Sequence, residues 1–482
     1  MEITNRMIHV VGGGLAGCEA AWQAAELGVD VTIHEMRPVR PTAVHQTDGL
    51  AELVCSNSFR SDKIDNAVGL IKEEMRRLGS IVMRSADAAR VPAGAALAVD
   101  RHVFSQTVTA AVQAHPRIRV SREEITAVPG HEWSPVIIAT GPLTSDALSQ
   151  SIQQMVGEEH LAFYDAISPI VLAESIDMGK VFRASRWGRN VWSPEPGAAL
   201  EQSDPPSRPE AATARPRRSS PDNERAEAGE GDYLNCPMTK AEYDAFYAAL
   251  IASESATVHD FDNTKFFEGC LPIEVMAHRG EGTLRFGPMK PVGLKDPRTG
   301  QLPYAVVQLR QDTLAGDHYS LVGFQTQIKW GDQARLLKLI PGLENAEFVR
   351  FGMVHRNTYI CGPRVLLPTW QTKHRADLLF AGQVSGVEGY VESAASGLIA
   401  GRNAAAIAKG ETPQAPPRTT AIGSLAHYVS HADPKSYQPT NITHGIMPPL
   451  DQPPRDKMKK KLMIAERALA DLEKWTAVEA TL

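Results

Sequence analysis

Cysteine is scarce in this chain, with five in 482 residues, at positions 18, 55, 236, 270 and 361. They form no C-x-x-C pair and no zinc-ligand spacing, and an odd number argues against a disulfide framework. A metal site is therefore not expected, and most of these thiols should pack as small hydrophobes. Long apolar runs are missing too. Nothing approaches the roughly eighteen residues that a membrane span requires, and the N-terminus enters a strand directly, without a signal peptide. No internal repeat is present. These absences predict a soluble, cytoplasmic protein with no membrane and no metal among its partners.

The formal charge of −6 on its own speaks against a nucleic-acid partner, but its distribution matters more than its sum. Residues 194–232 carry nine acids and five arginines, a net of −4, so the rest of the chain stands at −2. Leu200 is the one aliphatic side chain larger than alanine in that stretch, too little apolar surface to offset the entropy of ordering. It is expected as a disordered surface insertion without chemistry. Elsewhere the composition is globular, and 43% hydrophobic residues over this length suit two or three domains.

What the chain does carry is a nucleotide site split between its two ends. An apolar run from Met7 to Val11 reads as a buried strand, and Gly12, Gly14 and Gly17 set a G-x-G-x-x-G spacing. Cys18 to Leu27 follow as an Ala-rich helix. Such glycines let the backbone turn tightly and approach a pyrophosphate, which then sits on the helix N-terminus. Val29 to His34 form the next strand, and Glu35, eighteen residues past Gly17, falls where an acid accepts a ribose hydroxyl. Far downstream, Leu378 to Phe380 is a short strand, Ala381-Gly382-Gln383 a turn, and Glu392 to Ala408 a small-residue helix able to pack under a flavin. Val136 to Thr144, VIIATGPLT, has the strand-then-ATG form common in two-dinucleotide-fold flavoproteins. The three pieces agree on FAD.

Between them lies a second domain. Ala166 to Ala173 reads as a strand and Lys240 to Ile251 as a helix. The expected division is a FAD-binding domain over 1–162 and 344–410, an inserted substrate domain over 163–343, and a tail over 411–482 ending in a helix from about Arg455 to Glu479. Lys457, Lys459, Lys460 and Lys461 open that helix, and a solvated face is preferred there over a binding patch. Cys55, in ELVCSNSFRSDK, and Cys270, in EGCLPIEV, sit in loops near basic groups (Arg60, Lys63, His278, Arg279), a setting that favours thiolate, the nucleophilic form.

Eight ordered blocks, VVGGGLAGCEAA, LVCSNSFRSD, FYDAISPIV, DYLNCPMTKAEYDAFY, EGCLPIEVMA, RFGPMKPVGL, FGMVHRNTYI and FAGQVSGVEGYVESAASG, together resemble the TrmFO family of folate- and FAD-dependent tRNA (uracil-5-)-methyltransferases. The likeness runs from about Ile8 to Leu450, interrupted by 194–232. It implies an α/β fold, with a Rossmann-like FAD-binding domain of the GidA/TrmFO type and an inserted α+β domain. It also implies formation of 5-methyluridine at position 54 of the tRNA T-loop, with the carbon from 5,10-methylenetetrahydrofolate and the reducing equivalents from NAD(P)H through FAD. A thiolate must first add to uracil C6, because C5 alone is a poor nucleophile. The family's two essential cysteines map onto Cys55 and Cys270, one as nucleophile and one assisting proton removal from C5. Which does which stays open, with Cys55 preferred as nucleophile. Gly12, Gly13, Gly14, Leu15, Ala16 and Gly17 become the pyrophosphate loop.

Other assignments are less sharp. Arg285, Lys290 and Lys295 suit a folate glutamate tail or RNA phosphate as well as they suit a solvated loop, and His355-Arg356-Asn357 offers donors to a pterin edge. Trp330 and Tyr359 are possible base-stacking residues, with buried packing preferred. Cys236 is assigned to packing, and nothing recommends Cys18 or Cys361 chemically. A GidA-type wobble-uridine modifier is an alternative, although it requires a large helical C-terminal domain and about seventy residues follow Gly410. The same chemistry on a ribosomal RNA uridine is another. A plain NAD(P)H:flavin oxidoreductase leaves two isolated cysteines unexplained, and no second complete glycine motif marks a firmly bound nicotinamide.

Overall fold

The computed structural model describes residues 7–42, 44–157, 161–166, 168–188, 231–254, 271–352 and 354–479. Cys270, and all of the 194–232 stretch except Gly231 and Asp232, lie outside the described residues.

Continuous apolar runs become a parallel sheet buried on both faces. Its five strands stand in the order Leu378–Phe380, Val136–Ile138, Ile8–Val11, Val31–Glu35 and Ile118–Arg122, and every neighbouring pair is parallel. The strand nearest the chain's end thus closes the sheet begun at its start. Helix Leu15–Glu26 packs against helix Tyr390–Lys409 with little between them. A Cβ built on Gly397 would stand 2.2 Å from the Ala16 carbonyl oxygen, and one on Gly401 equally close to that of Ala20. Only glycine permits such backbone approach. The second helix begins two residues before the expected Glu392, just after Gly389 at φ +100°.

The intervening chain builds a six-stranded antiparallel sheet, ordered Phe182–Arg183, Tyr233–Met238, Ala305–Gln311, His318–Leu321, Ile170–Leu172 and Phe348–Arg350. Helix Lys240–Ala252 covers it, started by a capping box between Thr239 and Glu242. The single strand expected over Ala166–Ala173 is instead two. Leu161–Ala166 pairs with Val354–Tyr359 in a separate ribbon, and Ile170–Leu172 joins the large sheet. Pro169, with no N–H to donate, sits between them.

Two hydrophobic cores follow from the two sheets, one around Ile8, Ile33 and Leu398, the other around Phe246, Val307 and Phe324. The units meet through polar contacts: Arg101 with Asp312 at 3.0 Å, Asp100 accepting from Leu314 N–H at 2.8 Å, and Tyr233 OH donating to Ala93 O at 2.9 Å. The final helix spans Lys457–Glu479, and its opening lysines are mostly exposed. Among the described residues no helix is long and apolar enough to cross a membrane.

Candidate active site

A cavity of ≈ 380 Å³ opens at the C-terminal edge of the parallel sheet and extends to the antiparallel one. Gly12, Gly13, Gly14, Leu15 and Ala16 line it, as do Glu35, Cys55, Thr140, Gly382 and Gln383. The elements predicted from opposite ends of the chain therefore converge.

Each glycine of the loop has its own cause. Gly12 holds φ +106°, and a Cβ there would meet Ala139 O at 2.6 Å. A Cβ on Gly17 would fall 1.8 Å from Gly12 O, so this residue shapes the loop from beneath rather than lining the cavity. Gly14 differs: a Cβ would meet no protein atom within 4 Å. Gly14 is also the N-cap of helix Leu15–Glu26, with no side-chain cap and no acid in the first turn. The helix N-terminus thus faces cavity space with N–H groups to offer.

Glu35 is buried, and its Oε2 accepts from Gly13 N–H at 2.8 Å while Oε1 accepts from Arg37 Nε at 2.8 Å. Burial opposes ionisation of this carboxyl, but the Arg37 hydrogen bond and charge outweigh it and hold Glu35 below the usual value. Gln383 Nε2 donates to Glu388 Oε2 at 2.8 Å, beneath the turn where Gly382 adopts φ +75°.

The loop carrying Cys55 is pinned residue by residue. Arg101 Nη1 donates to Leu53 O at 3.0 Å, Arg350 Nη2 to Val54 O at 2.9 Å, and Arg310 Nη2 to Ser56 Oγ at 3.0 Å. Arg310 Nε donates to Asn57 Oδ1 at 2.7 Å. The Tyr390 hydroxyl accepts the N–H groups of Cys55 (2.8 Å) and Ser56 (3.1 Å), and burial pushes its phenol above the usual value. Arg60, at φ +62° across the cavity, is ion-paired with fully buried Glu392.

Arg60 was expected near Cys55 from the sequence; Arg101, Arg310, Arg350 and Tyr390 were not. For Arg310 a signal exists, since it lies next to last in strand Ala305–Gln311, whose residues Ala305–Leu309 are all buried, an unusual place for a cation. Arg101, Arg350 and Tyr390 show none, because their partners are remote in the chain.

Other sequence-based residues fall elsewhere. Trp330 is not buried packing: it is 61% exposed and stacks on Phe351 with ring centroids 6.5 Å apart. Tyr359 is buried and packs with Cys361 and Tyr437. Arg285 lies over the Tyr304 ring at 3.6 Å, and Arg285, Lys290 and Lys295 do not line the cavity. The side chains of His355, Arg356 and Asn357 lie outside the described residues. Cys18 and Cys236 are fully buried, and burial raises both thiols far above the ordinary value.

A parallel sheet with an open glycine loop at its edge, roofed by an antiparallel unit, defines a dinucleotide-binding α/β protein. The family model described as glucose inhibited division protein A matches residues 7–195 and 216–412. The chain is 53% identical to the methylenetetrahydrofolate-tRNA-(uracil-5-)-methyltransferase TrmFO of Symbiobacterium thermophilum over 477 residues, 98% of each chain. It is 52% identical to the protein of that name from Anoxybacillus flavithermus, over 98% of this chain and 99% of the other. The structure of Aquifex aeolicus GidA in its form II crystal superposes with a TM-score of 0.62 at 16% identity, covering 100% of this chain and 76% of that one, which shows the shared fold. The chain belongs to the GidA family and, within it, to the TrmFO proteins.

Proposed function

We propose that this protein forms 5-methyluridine at position 54 in the tRNA T-loop, taking the carbon from 5,10-methylenetetrahydrofolate and reducing equivalents from NAD(P)H through FAD. The observation that carries the reading is identity of 50–53% over nearly the whole length to relatives bearing the TrmFO name. The reading goes with a cytoplasmic location and with a division into a two-part FAD-binding unit around an inserted one.

The cavity fits FAD. A Cβ on Gly14 would meet no protein atom within 4 Å, the helix N-terminus there has no side-chain cap, and Glu35 lines the same cavity, which supports a pyrophosphate at the loop and a ribose at Glu35. Bound there by Gly12 to Ala16, Glu35, Gly382 and Gln383, FAD supplies the one-carbon and hydride transfer chemistry. The chain's own residues bind and orient. The three arginines and Tyr390 hold the Cys55 loop at the junction of the two units, facing the same cavity as the glycine loop. Cys55 then adds to uracil C6, and Cys270 assists proton removal from C5. The flipped base comes from an unpaired loop, read by shape and stacking.

Incubation with undermodified tRNA, labelled methylenetetrahydrofolate and NADPH tests the reading. Label appears in 5-methyluridine at position 54. Label in ribosomal RNA alone, or in no nucleoside, refutes it.

A further inference from the structure

Three guanidiniums, those of Arg101, Arg310 and Arg350, converge on the Cys55 loop, and among the described residues one carboxylate, Asp312, forms an ion pair with the group, through Arg101. Nearby Glu52 is already engaged by Arg37 and by the N–H groups of Gln46 and Thr47. Tyr390 hydrogen-bonds with its phenol protonated. Positive charge held away from water without a matching anion costs free energy, and is retained where an anion arrives to offset it.

The three cations differ in what they have left to give. Arg101 has all three side-chain nitrogens engaged, by Asp312 and Leu53 O. Arg350 does not line the cavity. Arg310 does, and while its Nε and Nη2 are fixed on Asn57, Ser56 and Ser320, its Nη1 makes no hydrogen bond among the described residues. Burial pushes the Arg310 guanidinium below its ordinary value, opposed in part by Tyr233 and Asp312, so an incoming negative charge relieves an existing strain. The hydrogen bond to Ser56 places this group beside the residue that follows the nucleophile.

The proposed reaction creates such a charge. When sulfur forms its bond to C6, the π pair of C5=C6 shifts to make a C4=C5 double bond, and the C4=O4 pair moves onto O4 as an enolate oxygen. We propose that Arg310 is a catalytic residue whose Nη1 donates to this oxygen, stabilising the uracil enolate formed on Cys55. The proposal rests on the reading of Cys55 as nucleophile. Asn57, Ser56 and Ser320 anchor Arg310 in advance, so the donor needs no reorganisation when the charge appears.

The test uses full-length Arg310→Gln and Arg310→Lys proteins. The readout is the rate at which each is covalently trapped by T-loop RNA carrying 5-fluorouracil, beside flavin content, flavin spectrum and tRNA affinity. Removing one such donor lowers rates by about 100- to 1,000-fold. Trapping and kcat of Arg310→Gln should fall together in that range. KM for folate, flavin content and tRNA affinity should hold within about twofold, and Arg310→Lys should keep more of the rate than Arg310→Gln. Unchanged trapping by Arg310→Gln overturns the proposal, as does lysine no better than glutamine. A shifted flavin spectrum with normal trapping overturns it in favour of a contact to the cofactor. If Arg310→Gln does not fold, Arg310→Lys with wild-type trapping and kcat refutes the proposal alone, since a shorter ammonium cannot reproduce the same contact. Normal trapping by Cys55→Ala, by contrast, removes the parent reading and is seen without any Arg310 variant.

Discussion

Two glycines in one motif should fail in opposite ways. Gly14→Val puts a side chain where no protein atom lies within 4 Å, on a backbone at φ −77° and ψ −169° that a β-branched residue adopts readily. Folding should therefore be untouched. The new methyl groups occupy the space above the uncapped first turn of helix Leu15–Glu26, so a pyrophosphate loses its contact with those N–H groups. With two charge-assisted hydrogen bonds lost at about 1.5 kcal/mol each, flavin affinity should fall by more than about 100-fold. Gly17→Ala is the contrast. Its Cβ would sit 1.8 Å from Gly12 O, a backbone atom that cannot move without opening the loop, so this variant should lose stability itself. Flavin absorbance per protein and the melting temperature of flavin-stripped protein separate the two. A folded Gly14→Val protein with full flavin occupancy would refute the assignment, and so would a Gly17→Ala protein that melts like wild type.

Deleting residues 194–230, while keeping Asp232, which accepts the Gly94 N–H at 2.5 Å, should leave soluble yield and flavin content unchanged; loss of soluble protein contradicts this. Cys55→Ala and Cys270→Ala should each abolish methylation and keep the flavin, and only one of them should also abolish trapping by 5-fluorouracil RNA. Near wild-type methylation by both removes the two-cysteine mechanism. Glu74, fully buried where it accepts from Ala421 and Ile422 N–H, has its carboxyl raised to about 7 because burial outweighs those bonds. The folded chain holds this proton more tightly than the unfolded one, so the stabilisation is complete below the ordinary carboxyl value of 4.5 and is lost as pH rises through about 7. Melting temperatures of wild type and Glu74→Gln should therefore converge or cross over that interval, and parallel curves refute the assignment.

The frame of the nucleotide site is legible in the sequence because its physics is local. Buried parallel strands are unbroken apolar runs, the loop needs glycine at set offsets, and close helix packing leaves small residues such as Gly397 and Gly401 at a spacing of four. The surroundings of Cys55 are not local. Tyr390 reaches it across 335 residues, and Arg310 reaches Asn57 across 253, with no periodicity to announce either contact. Trp330 misleads for another reason. A tryptophan carries enough apolar surface that burial is the natural expectation, yet this one opens helix Trp330–Leu337 and stays largely exposed, stacked on Phe351.

The closure of the parallel sheet by Leu378–Phe380 has a consequence for how the protein is made. The neighbouring strand ends at Ile138, so 240 residues must leave the ribosome before its partner exists. At roughly 5–20 residues per second that is about 12–48 s. During this interval the first helix of the glycine loop lacks the helix 390–409 that covers it, and the sheet keeps an open edge able to pair with another chain. The intervening antiparallel unit can fold meanwhile on its own core, so the segment emerging first becomes native last.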